Sequence, residues 1–199
     1  YINFLAPGLI IMTMMQNAFA NTSSSILGSK MQGNIVDLLM PPLNSNEIIF
    51  AYVTAAIIRS ILVGFVTWLF VLPFSDLYLY SHLVLFIYTI LGSILLALLG
   101  LIAGIWSEKF DNMSGITNFI ITPLTFLSGT FYTIDRLPEP FFTITLFNPF
   151  YYIIDGFRSA FESDINHDLV YGITYISMLN LTLYLISYYI LKKGWMLKP

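Results

Sequence analysis

Five apolar runs follow one another along the chain, each parted from the next by a polar or turn-rich stretch. Crossing a bilayer as a helix takes about 17–25 mostly apolar residues. Residues 3–27, 83–105, 113–130 and 169–191 meet that length without a charge, and residues 48–72 meet it with one, Arg59. The stretches between them, 28–47, 73–82, 106–112 and 131–168, hold most of the remaining charges. The pattern predicts an all-α, polytopic helical membrane protein with five visible spans. Five runs of this length argue against a soluble helical bundle.

The loops set the expected orientation, because Lys and Arg collect on the cytoplasmic side. Alternate loops give one side Lys30, Lys109, Lys192, Lys193 and Lys198, and the other only Arg136 and Arg158. The first visible span is therefore expected to run inward and the C-terminus to be cytoplasmic. Asp76, Asp135, Glu139, Asp155, Glu162, Asp164 and Asp168 fall on the outer side and agree with this. An odd number of spans beginning outside predicts one more span upstream of Tyr1.

Composition adds weight to the membrane reading. Of 199 residues, 57% are hydrophobic and only 10% charged, with mean hydropathy +0.80; soluble domains carry about 25% charged residues. Lipid-facing surface accounts for the deficit. The chain has no cysteine, which excludes a disulfide framework, a thiolate zinc site and a cysteine nucleophile. His82 and His167 have no acid or second histidine at ligand spacing, and GxxxxGK[ST], GxSxG and paired catalytic carboxylates are absent. No cofactor or metal is expected on this chain, and no enzymatic activity of its own. No internal repeat is evident, so residues 1–199 read as a single transmembrane domain. The Asn-X-Ser/Thr triplets at Asn21, Asn112 and Asn180 lie in or beside spans, out of reach of glycosylation.

The richest stretch is 119–158, FIITPLTFLSGTFYTIDRLPEPFFTITLFNPFYYIIDGFR. An apolar helix ends at a Ser-Gly, and two short aromatic segments follow, each opened by proline: Pro138 and Pro140, then Pro149. Neither can span; both can dip into the outer leaflet. Asp155 and Arg158 lie three apart and can pair on a helix. The rings fit an aromatic anchoring belt or a lid over an exit, with Gly129, Pro138, Asn148, Pro149, Tyr151, Tyr152, Asp155 and Arg158 as candidate gate residues.

On the opposite side, residues 28–47 read GSKMQGNIVDLLMPPLNSNE. Met31, Ile35, Leu38 and Leu39 share a helical face, with Lys30, Gln32, Asn34 and Asp37 elsewhere, and Pro41 and Pro42 end the helix. Such a helix can lie on the membrane surface or dock into a groove of a cytoplasmic partner. Inside the spans, Arg59 needs a partner, since an Arg at a helix centre costs about 2.5–3.5 kcal/mol on insertion scales. Gln16, Asn17 and Asp111 are the candidates. Pro123 should free a carbonyl and kink the fourth span. Gly92, Gly100 and Gly104 suit close helix packing.

At FLAPGL near the start, with Gln16 and Phe19, KMQGNIVDLLMPPL, the Arg59 helix, Glu108 to Asp111, PLTFLSGTFYTIDRLP and NPFYYIIDGFR, the chain resembles the ABC type-2 integral membrane permeases, in wording nearest the nodulation-factor-export subgroup. The resemblance covers almost the whole chain. It implies six spans in a complete protein, preceded by an interfacial helix, and on that expectation the interfacial helix and the first span would precede Tyr1. It implies a permease subunit of an ATP-driven exporter in the bacterial inner membrane, moving a lipid-, drug- or glycan-type amphipathic substrate. The partners it implies are a nucleotide-binding ATPase subunit, which holds ATP and Mg, and a second permease copy or related permease within the bilayer; no nucleic-acid partner is expected. Residues 30–40, with Lys30, Met31, Ile35, Asp37, Leu38 and Leu39, would be the coupling helix to the ATPase. Residues 138–161 would be an external re-entrant hairpin. The first and fourth visible spans would line the pathway, with Gln16, Asn17 and Arg59 as intramembrane polar residues. An energy-independent carrier or channel is the alternative.

Overall fold

The computed structural model describes residues 2–34, 43–75, 77–132, 138–162 and 169–194. Four long helices carry the fold: α1 (Ile2–Met31), α2 (Ser45–Val71), α3 (His82–Trp106) and a late helix. Between α3 and that helix come α4 (Phe110–Ile116), a π-helical turn (Thr117–Ile121), α5 (Thr122–Phe126), α6 (Glu139–Phe147) and α7 (Pro149–Ser159). The late helix is α8 (Leu169–Lys193). The described residues contain no strand. Ser81 opens α3, its hydroxyl accepting the Val84 N–H, as an N-cap should. The Glu47 carboxylate reaches back to the Asn44 N–H at the start of α2.

All four long helices are apolar and long enough to cross a membrane. They divide into two kinds. α1 and α3 pack along each other and are largely buried; α2 and α8 present most of their length outward. Phe50, Phe65 and Phe70 on α2, and Val170, Met178 and Leu185 on α8, are exposed. In water such surfaces would aggregate; in lipid they are the solvent-facing side.

The α1–α3 contact depends on small residues. A Cβ at Gly100 would land on the Thr22 hydroxyl, and one at Gly104 would sit 2.8 Å from the Ser23 carbonyl. A Cβ at Gly92 would sit 2.8 Å from Ile153 of α7. The three glycines thus serve packing, as their spacing suggested. Between helices, the Ser60 and Ser93 hydroxyls meet at 2.8 Å, joining α2 to α3, and the Asn180 amide donates to the Leu91 carbonyl at 3.1 Å, joining α8 to α3. Interhelical hydrogen bonds of this kind replace part of the hydrophobic drive that lipid removes.

The fourth expected span differs from its reading. It forms helical pieces of seven, five and five residues, ending at Phe126 rather than at Thr130. Pro123 is the cause. Its ring has no N–H and crowds the carbonyl four residues back, at Phe119. The chain widens by one residue per turn just before it, so the Thr122 N–H reaches the Thr117 carbonyl, the i→i−5 pairing of a π-turn. The freed carbonyl expected at Pro123 is thus absorbed by a change of helical register.

The ends of the bundle are distinct. Ile26, Ile49, Leu101, Ile105 and Ile190 form an apolar cluster at one end, where Lys30, Lys192 and Lys193 also lie. The main core, with Ile11, Met15, Phe19, Leu96, Ile153, Ile154 and Phe157, lies toward the end that holds α7.

Candidate functional site

At the α7 end, three stretches distant in sequence close on one another. The α5 helix stops at Phe126, which leaves its last carbonyls without intrahelical donors. Side chains of the α6–α7 hairpin supply them. The Asn148 amide donates to the Leu124 carbonyl at 2.6 Å, and the Thr145 hydroxyl to the Leu127 carbonyl at 3.1 Å. Asn148 does a second job, since its side-chain oxygen accepts the Phe150 N–H at 3.0 Å and caps α7, with Pro149 at the first helical position. Asn148 is 3% exposed, so both bonds are made away from solvent.

Gly129 follows the α5 terminus with φ 74°, a left-handed conformation that costs glycine little. This turn aims its carbonyl at Arg158, whose Nη2 donates to it at 3.1 Å. The other face of the guanidinium lies on the Phe4 ring of α1, 3.7 Å from the centroid, at cation–π distance. A Cβ at Gly8 would come within 3.3 Å of Arg158 Nη2; the glycine makes room for the cation. Arg158 is 7% exposed. Burial lowers its pKa from the ordinary value, while the charges of Asp155 and Glu162 pull it back up, and it remains a cation. FLAPG, LSG and NPFYYIIDGFR therefore meet through one residue.

The same region is tied to the rest of the bundle. Tyr80 and Ser81 donate their N–H groups to the Ala160 carbonyl at 2.9 and 3.1 Å. The Tyr88 hydroxyl donates to the Leu169 carbonyl at 2.9 Å, and its ring fills the space that a side chain at Gly156 would need. Tyr152 has ring neighbours in Tyr151, Tyr171 and Tyr175, at centroid distances of 5.1, 5.7 and 5.1 Å. Its hydroxyl donates to the Leu146 carbonyl. Asp155 is half-buried one turn before Arg158, and exposed Pro138 precedes α6 as its N-cap.

The candidate polar residues of the spans sit on α1 and α2. Gln16 and Asn17 are half-buried; the Asn17 amide donates to the Thr13 carbonyl of its own helix at 3.0 Å. Arg59 is exposed to the surround of the bundle, and its Nη1 donates to Asn21 Oδ1 at 3.1 Å. Its observed partner is thus Asn21, one turn beyond Asn17, and not Gln16, Asn17 or Asp111. Thr13 and Thr67 approach at 3.4 Å on the same seam.

At the other end, Lys30 and Met31 form the last turn of α1. The Lys30 ammonium donates to the Ile105 and Ser107 carbonyls at 2.6 and 2.8 Å, where α3 ends and its carbonyls lack donors. Ile35, Asp37, Leu38 and Leu39 lie outside the described residues. Among the described residues no cluster of His, Asp and Glu could hold a metal ion. The parts that sequence reading missed are Asn21, Gly8, Phe4 and Tyr88. Phe4 and Gly8 stood in a matched motif, but nothing in the sequence tied them to Arg158.

Comparison with known proteins agrees with this architecture. The pattern of the ABC-2 type transporter family matches residues 1–161. The inner membrane transport permease YadH of Escherichia coli K12 is 34% identical over 194 residues, which is 98% of this chain and 76% of that protein. The probable multidrug ABC transporter permease YbhR of the same organism is 26% identical over 176 residues, 85% of this chain and 46% of YbhR. Nodulation protein J of Rhizobium leguminosarum bv. viciae is 27% identical over 164 residues, 79% of this chain and 61% of that protein. The chain belongs to the ABC-2 type transporter family. It is a membrane subunit of an ABC transporter and a multi-pass inner-membrane protein.

Proposed function

We propose that the chain is the permease subunit of an exporter that works with a separate nucleotide-binding ATPase, which holds ATP and Mg, and with a second permease. The C-terminus and the lysine-rich end face the cytoplasm. The α6–α7 hairpin covers the outer exit for an amphipathic lipid-, drug- or glycan-type substrate. One observation carries this reading: α1 joins the two ends. It is a helix of 30 residues, about 45 Å long at 1.5 Å per residue. Its first turns hold Arg158 through Phe4 and make room for it at Gly8. In sequence, its last turn is followed within a few residues by the proposed coupling segment with Asp37 and Leu38. We take α1 as the element that would carry a push on that segment to the hairpin. Such a push moves an equilibrium only if the two states differ in contacts; the Arg158 junction is where they would differ.

The test uses the complete transporter in vesicles. The double variant Asp37→Lys, Leu38→Ala should insert normally and lose export while ATP hydrolysis continues. Unchanged export would remove the docking role of this segment. An energy-independent carrier is the second reading, and copurification of the chain without a P-loop ATPase would favour it.

A further inference from the structure

Beside the Arg158 junction, two cavities share a wall. One, of about 350 Å³, is lined by polar groups: Asn3, Tyr78, Tyr80, Arg158 and Glu162, with the Phe4 ring. The other, of about 320 Å³, has apolar walls that include Met14, Phe65, Trp68 and Phe86. Leu77 and Phe161 line both, so the two chambers are neighbours on either side of these side chains.

The polar chamber holds a nearly buried cation with donor capacity left over. Arg158 uses Nη2 on the Gly129 carbonyl and one guanidinium face on Phe4, and its Nε, itself buried, has no acceptor among the described residues. Guanidinium groups favour planar oxyanions, to which they give paired hydrogen bonds. Glu162 on the same lining disfavours a multiply charged anion and accepts from a hydroxyl. The apolar chamber has one polar side chain on its lining, Thr89, whose buried hydroxyl has no partner among the described residues, and its other walls suit an alkyl or aromatic tail.

We propose that the two chambers form one site for an amphiphile with a singly charged phosphate or carboxylate headgroup bearing hydroxyls, the headgroup at Arg158, Asn3 and Glu162 and the tail against Phe65 and Trp68. This deepens the export reading and rests on it only for whether the occupant is cargo; binding itself does not depend on transport.

Phosphatidylglycerol is the probe. The full chain in phosphatidylcholine nanodiscs should retain phosphatidylglycerol in preference to the host lipid, measured by native mass spectrometry and by titration with a fluorescent analogue. Arg158→Lys is the direct variant, but Arg158 also holds the hairpin, so two milder changes carry the test. Asn3→Asp adds a carboxylate to the polar chamber without touching Phe4 or Gly129, and should weaken binding about tenfold, as a like charge at close range would. Leu79→Trp fills the apolar chamber, which Leu79 also lines, and should weaken long-chain phosphatidylglycerol while sparing the dihexanoyl form. Equal retention of the two lipids, or affinities unchanged in both variants, would overturn the site. With the ATPase partner and ATP added, release of labelled lipid marks a cargo and retention a resident lipid, both upholding the site. Loss of export with binding intact would fault the transport reading alone.

Discussion

A methyl group added at Gly100 would strike the Thr22 hydroxyl and the Phe19 carbonyl of α1. One of these atoms is backbone, so the two helices must part. Overpacking of this kind costs about 1–3 kcal/mol. Gly115, on α4, has nothing within 4 Å of its virtual Cβ. There alanine should be neutral or stabilising by up to about 1 kcal/mol, from helix propensity alone. Thermal unfolding in detergent should therefore separate Gly100→Ala from Gly115→Ala in opposite directions; equal midpoints would show that the α1–α3 approach is looser than the structure has it. Arg59 makes the complementary point. The sequence shows that a cation at mid-span needs a polar partner. It does not show the relative rotation and shift of α1 and α2, and Asn17 and Asn21 share one face of α1 four residues apart. Only that packing register picks Asn21.

Among the elements, the α6–α7 hairpin has the sharpest internal logic. Asn148 holds it to α5 with its amide nitrogen and starts α7 with its amide oxygen. Asn148→Asp keeps an acceptor for the Phe150 N–H but removes the donor to Leu124. Asn148→Ala removes both. Leaving the Leu124 carbonyl unpaired costs about 1–3 kcal/mol, and the lost cap about 1 kcal/mol more in the alanine variant. Hydrogen exchange should show α6–α7 opening in both variants, with the first turn of α7 frayed further in Asn148→Ala than in Asn148→Asp. Identical profiles would mean that the capping bond contributes nothing. Most of this was half-visible in the chain. The prolines marked where α6 and α7 begin, and Ser128-Gly129 marked where the preceding helix ends. What stayed hidden was how the broken helix is completed. A proline predicts a disturbed helix, but it does not say whether the chain kinks or, as here, widens into a π-turn with the Thr122 N–H on the Thr117 carbonyl. Nor does it say which side chains complete the α5 terminus, where Asn148 and Thr145 donate to the Leu124 and Leu127 carbonyls. Likewise FLAPG and the distal Arg158 were legible separately, while their contact is a product of the tertiary fold.

At the scale of the whole molecule, the ends of the bundle are fixed by contacts that do not depend on loop-charge statistics. Lys30 holds the end of α3, and Ile26, Ile49, Ile105 and Ile190 pack together. The starts of α2 and the ends of α1, α3 and α8 therefore share one end. Phe4, Gly129 and Arg158 share the other, where Tyr88 also meets Leu169 at the start of α8. The lysine count is the ground on which we propose that this first end faces the cytoplasm. Because the chain has no cysteine, single introduced thiols report on sidedness without background. Glu108, Glu139 and Lys193 are exposed, and none makes a contact on which the bundle depends. In intact cells, an impermeant maleimide should label Glu139→Cys and leave Glu108→Cys and Lys193→Cys unlabelled until the membrane is opened. Labelling of Glu108→Cys and Lys193→Cys from outside, with Glu139→Cys protected, would keep the fold and remove the proposed coupling role of residues 30–40, which would then face away from the ATPase. Labelling of Glu139→Cys together with Lys193→Cys from one side would break the bundle arrangement itself, since Glu139 begins the hairpin that the Arg158 end holds and Lys193 closes the helix that leads away from it.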